Sequence, residues 1–593
     1  MNILTIVDSH TATAALICNN NIAACVSEER FTRKKCEMGY PREAINHCLS
    51  ILGNRNLDKV IYLGKNPPDP WAYRSSLSTT FSIKDIIDLN YGYYKPIFYE
   101  NVPIKEAYKK YFKLLFEKRK FQTSYEGIDK VKWTYDPDID KKLFREIQIN
   151  TVLNHLKIPD NKLVFQEHHP SHAAYGYFAS PFREKDTLVF TLDGIGEGIN
   201  GTISIVKNDT IEEVYRTGEA NLGRLWKYIT LLLAMKPDEH EFKVMGMAPY
   251  ANEKYANEVL KIFEDNFQYI DGFDFKYRNR PKDIYFFFRK LLEGKRFDSI
   301  AGGLQLYTEK LVTKWIKNAI EITGIPRIVF SGGVAMNIKL NKEIAGMKEV
   351  KEFYVAPSAA DESLALGVFY KYFGKEDTPP LANLYLGPKY KREQILEVVS
   401  KYKDKYIVQE HITNKQVANF LADGYVIARF DGRMEFGARS LGNRSILGDP
   451  SKSDVVKKIN SQIKSRDFWM PFTATILDTR ELDYIVNPKG ISCPYMTIAF
   501  DTTELARNHL KAAIHPYDYT ARPQILSEKN NPGYYQLIKE FENITGIGGL
   551  LNTSLNLHGY PVVCSPEDAM ETFVNSKLDM LLMGDILIKR ENY

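Results

Sequence analysis

Six cysteines, at positions 18, 25, 36, 48, 493 and 564 of a 593-residue chain, include no C-x-x-C pair. That spacing indicates neither a zinc site nor a disulfide framework. Long apolar runs are missing as well. The longest candidate, DMLLMGDILI (579–588), is broken by charge and falls well short of the roughly 20 apolar residues a membrane span needs. The start, MNILTIVDSH, lacks a basic leader followed by an apolar core, so no secretory signal and no membrane contact are expected, and the cytoplasm is the expected compartment. Strong charge of one sign is absent: 79 Lys and Arg against 74 Asp and Glu give +5, too mild to demand nucleic acid. There is no low-complexity tract and no short-period repeat.

What remains is a chain that is 44% apolar and 26% charged, a globular composition long enough for two to four domains. The strand-like runs ILTIV, ATAALIC and IAACVSEE open it. A helix is predicted from about Pro41, where Ala44, Ile45, Cys48, Leu49 and Leu52 recur at helical spacing behind a proline suited to a first turn. KVIYLG (59–64) reads as a further strand, and 65–150, rich in Tyr and Lys, as a helical insertion. A second series follows: KLVF, a histidine-rich segment, TLVFTLDG, TISIV, helices over 223–234 and 301–322, and RIVFSGG. Strands alternating with helices mean α/β. The polar, proline-bearing stretch GKEDTPPLANLYLGPKY (374–390) marks a boundary near 375–385, giving domains 1–378 and 379–593. Beyond it, helices at 392–403 and 415–423 precede the strand YVIARF.

Chemistry-bearing residues cluster in both halves. QEHHPSHAAYGYFASPF (166–182) spends three of eleven histidines in one segment, and the i, i+4 pair His168 and His172 shares a helix face at metal-ligand spacing. TLDGIGEG places Asp193 and Gly194 after an apolar strand. FSGGVAMN ends another strand in Gly332 and Gly333, with Asn337 beyond, and YVAPSAADESLALG sets Asp361 before a helix. Such loops suit a nucleotide–metal site at the carboxyl ends of strands. In the second half, FDGRMEFGARSLGNRSILGDP holds Arg433, Arg439 and Arg444 among four glycines. Lys464, Arg466 and Arg522 follow, and an apolar strand ends in Asn552, Ser554 and Asn556. Arginine forks on glycine-rich backbone suit a multi-oxygen anion. Two basic–aromatic runs, 105–121 and 276–290, fit either a base-stacking surface or amphipathic helices with a solvated basic face. In them Lys109, Lys110, Lys113, Lys118, Arg119 and Lys120, with Tyr285, Phe286 and Phe287, are the residues a nucleic acid would meet.

HHPSHAAYGYFASPF, LDGIGEG, EFKVMGMAPY, SGGVAMN, GRMEFGARSLGNRSILGDP, ARPQ and LNTSLNLHGYPVVCSPEDA, with EERFTRKK and GYPREAI near the start, stand in this order. In that order the chain resembles the O-carbamoyltransferases of the nodulation, cephamycin and tobramycin type. The resemblance covers nearly the whole chain and is poor over 65–150 and about 251–300. It implies an N-terminal actin-like ATPase (ASKHA-type) domain and a C-terminal YrdC-like α/β domain. It further implies that the second domain converts carbamoyl phosphate and ATP, with Mg2+, to carbamoyl-adenylate. An acceptor hydroxyl then attacks the carbamoyl carbon at the N-terminal site, releasing AMP.

By the same resemblance His168, His172, Asp193 and Asp361 ligate one divalent metal, iron(II), while His169 receives no role. Gly194, Gly332, Gly333 and Asn337 bind nucleotide in the N-terminal domain. Arg433, Arg439, Arg444, Lys464, Arg466, Arg522, Asn552, Ser554 and Asn556 line the carbamoyl phosphate and ATP site. His10 is the candidate general base, with Lys243 as a second catalytic candidate. Two departures stand out: HTAT replaces an HDAS-like loop, so Thr11 stands for an acid, and GARSLG replaces GPRALG. The acceptor stays open between a small hydroxylated metabolite and a hydroxymethylated nucleotide or nucleic-acid base, and a homodimer is admitted as the assembly. The competing readings are a tRNA threonylcarbamoyl-type enzyme and a non-catalytic nucleotide-binding regulator.

Overall fold

A computed structural model describes residues 1–70, 82–118, 124–375 and 378–590. The chain forms two compact units: Met1–Met336 with Met347–Leu381, and Asn337–Gly346 with Ala382–Tyr593.

The first unit holds two five-stranded sheets built to one plan. In the first, β1 (Asn2–Val7), β2 (Thr13–Cys18) and β3 (Asn21–Ser27) form an antiparallel meander, and β4 (Lys59–Leu63) and β5 (Leu163–Gln166) extend β1 in parallel, in the order β3-β2-β1-β4-β5. β2, TAALIC, is buried at every position, as an apolar run covered on both faces must be. The second sheet repeats this with β6 (Thr187–Gly196), β7 (Ile199–Lys207) and β8 (Thr210–Thr217). After the small hairpin β9 (Gln268–Asp271) and β10 (Asp274–Tyr277) come the parallel strands β11 (Arg327–Ser331) and β12 (Glu352–Val355), in the order β12-β11-β6-β7-β8. A duplicated sheet of three antiparallel and two parallel strands is the actin-like architecture, reached here from strand order alone. Parallel strands need crossovers. The helices Arg42–Leu52 and Phe297–Thr323 lie within two of them.

Residues 65–150 contain helices and no strand where described: Ile83–Leu89, Asn90–Tyr94, Lys95–Tyr99, Ile104–Lys118 and Pro137–Leu156, joined by irregular segments. The run from 105 is an amphipathic helix, with Tyr108 and Phe112 buried and Lys109, Lys110 and Lys113 exposed. Arg119 and Lys120, and the side chain of Lys118, lie outside the described residues. The run 276–290 is not one helix: β10 ends at Tyr277, and a separate helix spans Tyr285–Leu291. Tyr285 is buried there, Phe286 is packed by Tyr91 and Tyr99, and Phe287 meets Phe288 edge to face, so all three rings already have partners.

In the second unit an eight-stranded mixed sheet takes β13 (Ile407–Gln409), β14 (Ile427–Phe430), β15 (Arg444–Gly448) and β16 (Thr473–Leu477). β17 (Phe500–Asp501) and β18 (Thr520–Ala521) form a separate pair. The large sheet is completed by β19 (Gln524–Leu526), β20 (Gly549–Ser554), β21 (Met580–Met583) and β22 (Ile586–Lys589), in the order β13-β22-β21-β14-β15-β20-β16-β19. The segment Asn337–Gly346, placed in the first domain on sequence grounds, packs here. Asn341 Nδ2 donates to the Thr497 carbonyl at 2.8 Å, and Lys342 pairs with Asp501 at 2.9 Å. Among the described residues no helix is long and apolar enough to cross a membrane.

Candidate functional site

Four side chains from three places in the first unit converge. The helix His168–Phe178 starts directly after β5 with Glu167 as its N-cap, so its first and fifth residues, His168 and His172, project together. Asp193 comes from β6, and Asp361 from the turn before the helix Leu364–Phe373. One ligand atom from each of the four lies within 4.8 Å of all the others. His168 Nε2 is 3.2 Å from Asp193 Oδ2 and 3.6 Å from Asp361 Oδ1, and His172 Nε2 is 3.7 Å from Asp361 Oδ1. The His172 side chain is fully buried, yet neither ring nitrogen has a hydrogen-bond partner. An orphaned imidazole in a buried site costs free energy, and a cation held by nitrogen and carboxylate donors removes that cost. The carboxylates keep 13% and 19% exposure against 7% and 0% for the imidazoles, so the cluster is open on its acidic side.

Charges match the geometry. Burial opposes ionisation of Asp193, but the His168 hydrogen bond and the two flanking imidazoles hold its pKa well below the usual range. Burial lowers His168, yet Asp361, Asp193 and Glu197 outweigh it and raise its pKa to about 9. His169 behaves oppositely: burial and its two neighbours push it down to about 3. Its Nε2 lies 2.9 Å from the Ile199 carbonyl, which can only accept, so that nitrogen carries the proton. Nδ1 then accepts from Thr191 Oγ1 at 2.8 Å. His169 is a neutral strut between β6 and β7, which accounts for the third histidine.

The glycines are spacers. At Gly332, φ is +91° and a Cβ would meet the Leu192 carbonyl oxygen at 2.5 Å; at Gly333 it would meet Asp193 Oδ1 at 2.6 Å. The Gly333 N–H donates to that oxygen at 2.9 Å. Gly194 follows Asp193 directly. Asn337 belongs to the second unit, where its Oδ1 accepts from Leu340 N–H at 3.0 Å and caps the helix Ile338–Gly346. Two residues escaped sequence reasoning. Ser9 Oγ donates to Asp361 Oδ2 at 2.9 Å, and Glu197 Oε2 accepts from His168 N–H at 2.8 Å. Nothing local marks either one, although Glu197 sits inside LDGIGEG.

His10 is half-buried on the loop after β1, and its Nε2 has no hydrogen-bond partner. Burial lowers its pKa, but hydrogen bonding and charge from Cys36 and the carboxylates of Asp238 and Asp361 raise it to about 10. An imidazolium is an acid rather than a base, so His10 accepts a proton only after giving up the one it holds. Thr11 beside it holds φ 61°, a costly conformation for a β-branched residue and one that clusters at functional loops. Lys243 is half-buried on the helix Glu241–Met247.

In the second unit the predicted cations separate into two groups. Arg444 is fully buried and gives Nη1 to the carbonyls of Asp431 (2.8 Å) and Asn443 (2.9 Å), with its guanidinium carbon 3.6 Å from the centre of the Phe430 ring. Arg433 donates to the Leu386 and Gly387 carbonyls. These two fold the loop. Glu435, also unanticipated, fixes it by accepting three backbone N–H bonds, from Leu441, Asn443 and Arg444. Arg439, Arg466 and Arg522 form the other group. Burial lowers Arg466 to about 10, with Arg439 adding to it; Arg522 is lowered well below its ordinary value by burial and then by both other arginines. Like charges gathered at part-buried positions call for an anion. Arg466 Nη2 donates to Thr553 Oγ1 at 2.9 Å, and Lys464 Nζ reaches Asn556 Oδ1 at 2.7 Å and Ser554 Oγ at 3.2 Å. Asn552 is buried in β20, where its Nδ2 donates to the Ser440 carbonyl and Thr475 Oγ1 while its Oδ1 has no hydrogen-bond partner.

A family profile described as "Carbamoyltransferase N-terminus" matches residues 2–369 and one described as "Carbamoyltransferase C-terminus" matches 418–590. The chain belongs to the carbamoyltransferase family, and it is an enzyme of that class. It is 33% identical to protein MJ1058 of Methanocaldococcus jannaschii over 72% of this chain and 73% of that one. It is also 30% identical to nodulation protein NolO of Bradyrhizobium diazoefficiens, over 71% and 78%. Among solved structures, HypF of T. kodakarensis aligns over 62% of this chain and 47% of its own at 14% identity with a TM-score of 0.30, too remote to bear on chemistry.

Proposed function

We propose that the protein is an ATP-dependent O-carbamoyltransferase. In the second unit carbamoyl phosphate, ATP and one water yield carbamoyl-adenylate, phosphate and pyrophosphate. In the first unit an acceptor hydroxyl forms a C–O bond to the carbamoyl carbon, the bond from that carbon to the adenylate oxygen breaks, and AMP leaves. The observation that carries this reading is the convergence of His168, His172, Asp193 and Asp361 within 4.8 Å in a chain of this family.

An alcohol is a poor nucleophile and a carbamate a poor electrophile, so the carbamoyl group first needs a good leaving group, which adenylation supplies. Arg439, Arg466 and Arg522 neutralise the phosphates while that bond forms, and Lys464 with Ser554 and Asn556 positions them. A divalent metal on the four ligands, iron(II) by family resemblance and compatible with two imidazoles and two carboxylates, would supply a Lewis acid beside the leaving group. Ser9 and Gly333 N–H hold the two carboxylates in place, and Glu197 holds the start of the histidine helix. His10, once deprotonated, takes the acceptor's proton. Incubating the protein with carbamoyl phosphate and ATP should release AMP and pyrophosphate in an acceptor-stimulated reaction. No turnover of ATP under any acceptor would sink the reading.

A further inference from the structure

The loop after β1 turns at Thr11, which holds φ 61°. That left-handed region is costlier for a β-branched residue than for Gly, Asn or Asp. The loop nevertheless fixes it from both sides. Gly39 N–H donates to the Asp8 carbonyl at 2.9 Å, Ala12 N–H donates to the Glu37 carbonyl at 2.7 Å, and Thr13 Oγ1 donates to the Thr11 carbonyl at 2.8 Å. Strain persists where the surrounding bonds over-determine it, and such an outlier is a pointer to function. The backbone alone favours Gly or Asn at this position, so what a threonine adds is its side chain.

Among the described residues that side chain makes one hydrogen bond. Thr11 Oγ1 lies 3.4 Å from His10 Nδ1, a long contact of the kind that tightens when substrate completes a catalytic pair. On the other side of His10, Ser9 Oγ donates to Asp361 Oδ2 at 2.9 Å, so the loop is tied to a carboxylate of the four-residue cluster. A hydroxyl both donates and accepts, and distance alone leaves two arrangements open. The second ring nitrogen decides between them.

His10 Nε2 is buried and has no hydrogen-bond partner. If Thr11 donated to Nδ1, the neutral ring would carry its proton on Nε2 and bury an orphaned N–H, the rarer defect in folded proteins. With the proton on Nδ1 and Thr11 accepting it, Nε2 keeps a lone pair instead. The charged ring has no alternative, since both its nitrogens are donors and Nδ1 can only give its proton to Thr11 Oγ1. One bond thus serves both charge states, and the proton that comes and goes is the one on Nε2. Burial lowers the proton affinity of the ring, while Cys36, Asp238 and Asp361 raise it to about 10; Glu362 shares that field. Those groups set how tightly the ring holds a proton. Thr11, uncharged, sets which nitrogen holds it.

We infer that Thr11 is a positioning residue: its Oγ1 keeps a proton on His10 Nδ1, so that Nε2 is the nitrogen that takes the acceptor's proton. The role in transfer rests on the reading of His10 as the base; the placing of the proton does not. In that step the acceptor hydroxyl gives its proton to Nε2 as its oxygen bonds to the carbamoyl carbon. The bond from that carbon to the adenylate oxygen breaks, and AMP leaves with the electron pair.

Nitrogen-15 NMR of the full chain with labelled histidine, carrying zinc as a diamagnetic ion, reads this without turnover. His10 is assigned by its absence in His10→Gln. As pH is raised through the midpoint, the Nε2 resonance should move to the range of a nitrogen without a proton while Nδ1 stays in the N–H range. Cys36→Ala removes a group that raises the midpoint, so the same transition should come at lower pH with the same nitrogen moving. Thr11→Ser keeps the hydroxyl and should keep the pattern. Thr11→Gly should lose it, both resonances moving together as the two tautomers mix, while its thermal midpoint stays at or above the parent's because the strain is relieved. Thr11→Asp puts a carboxylate beside Nδ1, so it should keep the pattern and raise the His10 midpoint by at least about one pH unit. A threonine of purely structural value predicts the reverse for Thr11→Gly, a less stable fold with an unchanged ring. Loss of the Nδ1 proton in the parent, or an unchanged pattern in Thr11→Gly, would overturn the inference. Release of AMP and pyrophosphate is measured separately. An inactive parent whose Nε2 titrates as expected strikes the transferase reading and leaves the proton assignment standing.

Discussion

The two nitrogens of His172 are buried without a hydrogen-bond partner, and a cation is what would use one of them. Replacing His172 with Ala removes a ligand and opens a small void, so metal content measured on the purified variant should fall to background, and carbamoyl transfer with it. A variant that keeps its metal would discredit the ligand set. His169 calls for the opposite expectation. Its ring joins Thr191 to the Ile199 carbonyl inside the sheet, so His169→Phe takes one hydrogen bond from Thr191, which keeps Thr202 Oγ1, and leaves the part-buried Ile199 carbonyl without this donor. That should cost about 1–3 kcal/mol of stability, read as a lower denaturation midpoint, while the four ligands stay in place. Three histidines in five residues thus divide into two that face the site and one that braces it. The i, i+4 spacing made the first two legible; the brace was not, because its partners lie 22 and 30 residues away on strands whose register no local pattern reveals.

Elements are held at the site by groups from other elements. The helix Arg42–Leu52 has Pro41 at its N-cap and no side-chain cap of its own. Glu28 fills the gap, accepting from Glu43 N–H at 3.0 Å and Ala44 N–H at 2.8 Å. Burial raises the Glu28 pKa to about 7 against the pull of those two N–H bonds. A carboxyl whose folded pKa exceeds its ordinary 4.5 binds a proton more readily in the native state. Its contribution is therefore full below about pH 4.5 and is lost as pH rises to about 7, by roughly 2–3 kcal/mol. Glu28→Gln keeps an acceptor and cannot ionise, so its stability relative to the parent should improve between pH 5 and pH 8 in paired denaturation curves. A constant difference would refute the titration. The loop after β11 is limited by space instead: with Asp193 Oδ1 only 2.6 Å from a Cβ at residue 333, Gly333→Ala must displace that carboxylate. It should weaken metal retention with a modest loss of stability, since overpacking costs about 1–3 kcal/mol. The strands were legible because they are continuous apolar runs, and the Gly-Gly pair was legible as a tight approach. What it approaches, a carboxylate rather than a phosphate, emerges only once β6 and β11 pair.

Across the whole molecule, the two kinds of chemistry sit in separate compact units: nitrogen and carboxylate donors in one, clustered guanidinium groups in the other. The first unit was readable as two series of alternating elements, but not as two repeated sheets: KLVF, which opens the second series in the sequence, pairs with β4 as the edge of the first sheet, and β8 was not anticipated. Nor was the passage of Asn337–Gly346 into the second unit, since its partners Thr497 and Asp501 lie some 150 residues on. The same distance effect misled the reading of the arginines. Six cations near glycines looked like one anion site, and the fold assigns Arg433 and Arg444 to backbone carbonyls while Arg439, Arg466 and Arg522 crowd one another. Truncating Arg466 removes one of three half-buried charges and should lower carbamoyl-adenylate formation by the equivalent of about 2–5 kcal/mol, seen as lost pyrophosphate release. Because His172 belongs to the other unit, His172→Ala should release pyrophosphate normally and fail only in transfer. The converse should hold for Arg466→Ala: it should still pass the carbamoyl group to an acceptor when carbamoyl-adenylate is supplied ready-made. If Arg466→Ala fails with supplied carbamoyl-adenylate, or His172→Ala loses pyrophosphate release, the two half-reactions do not divide between the units as their side chains do.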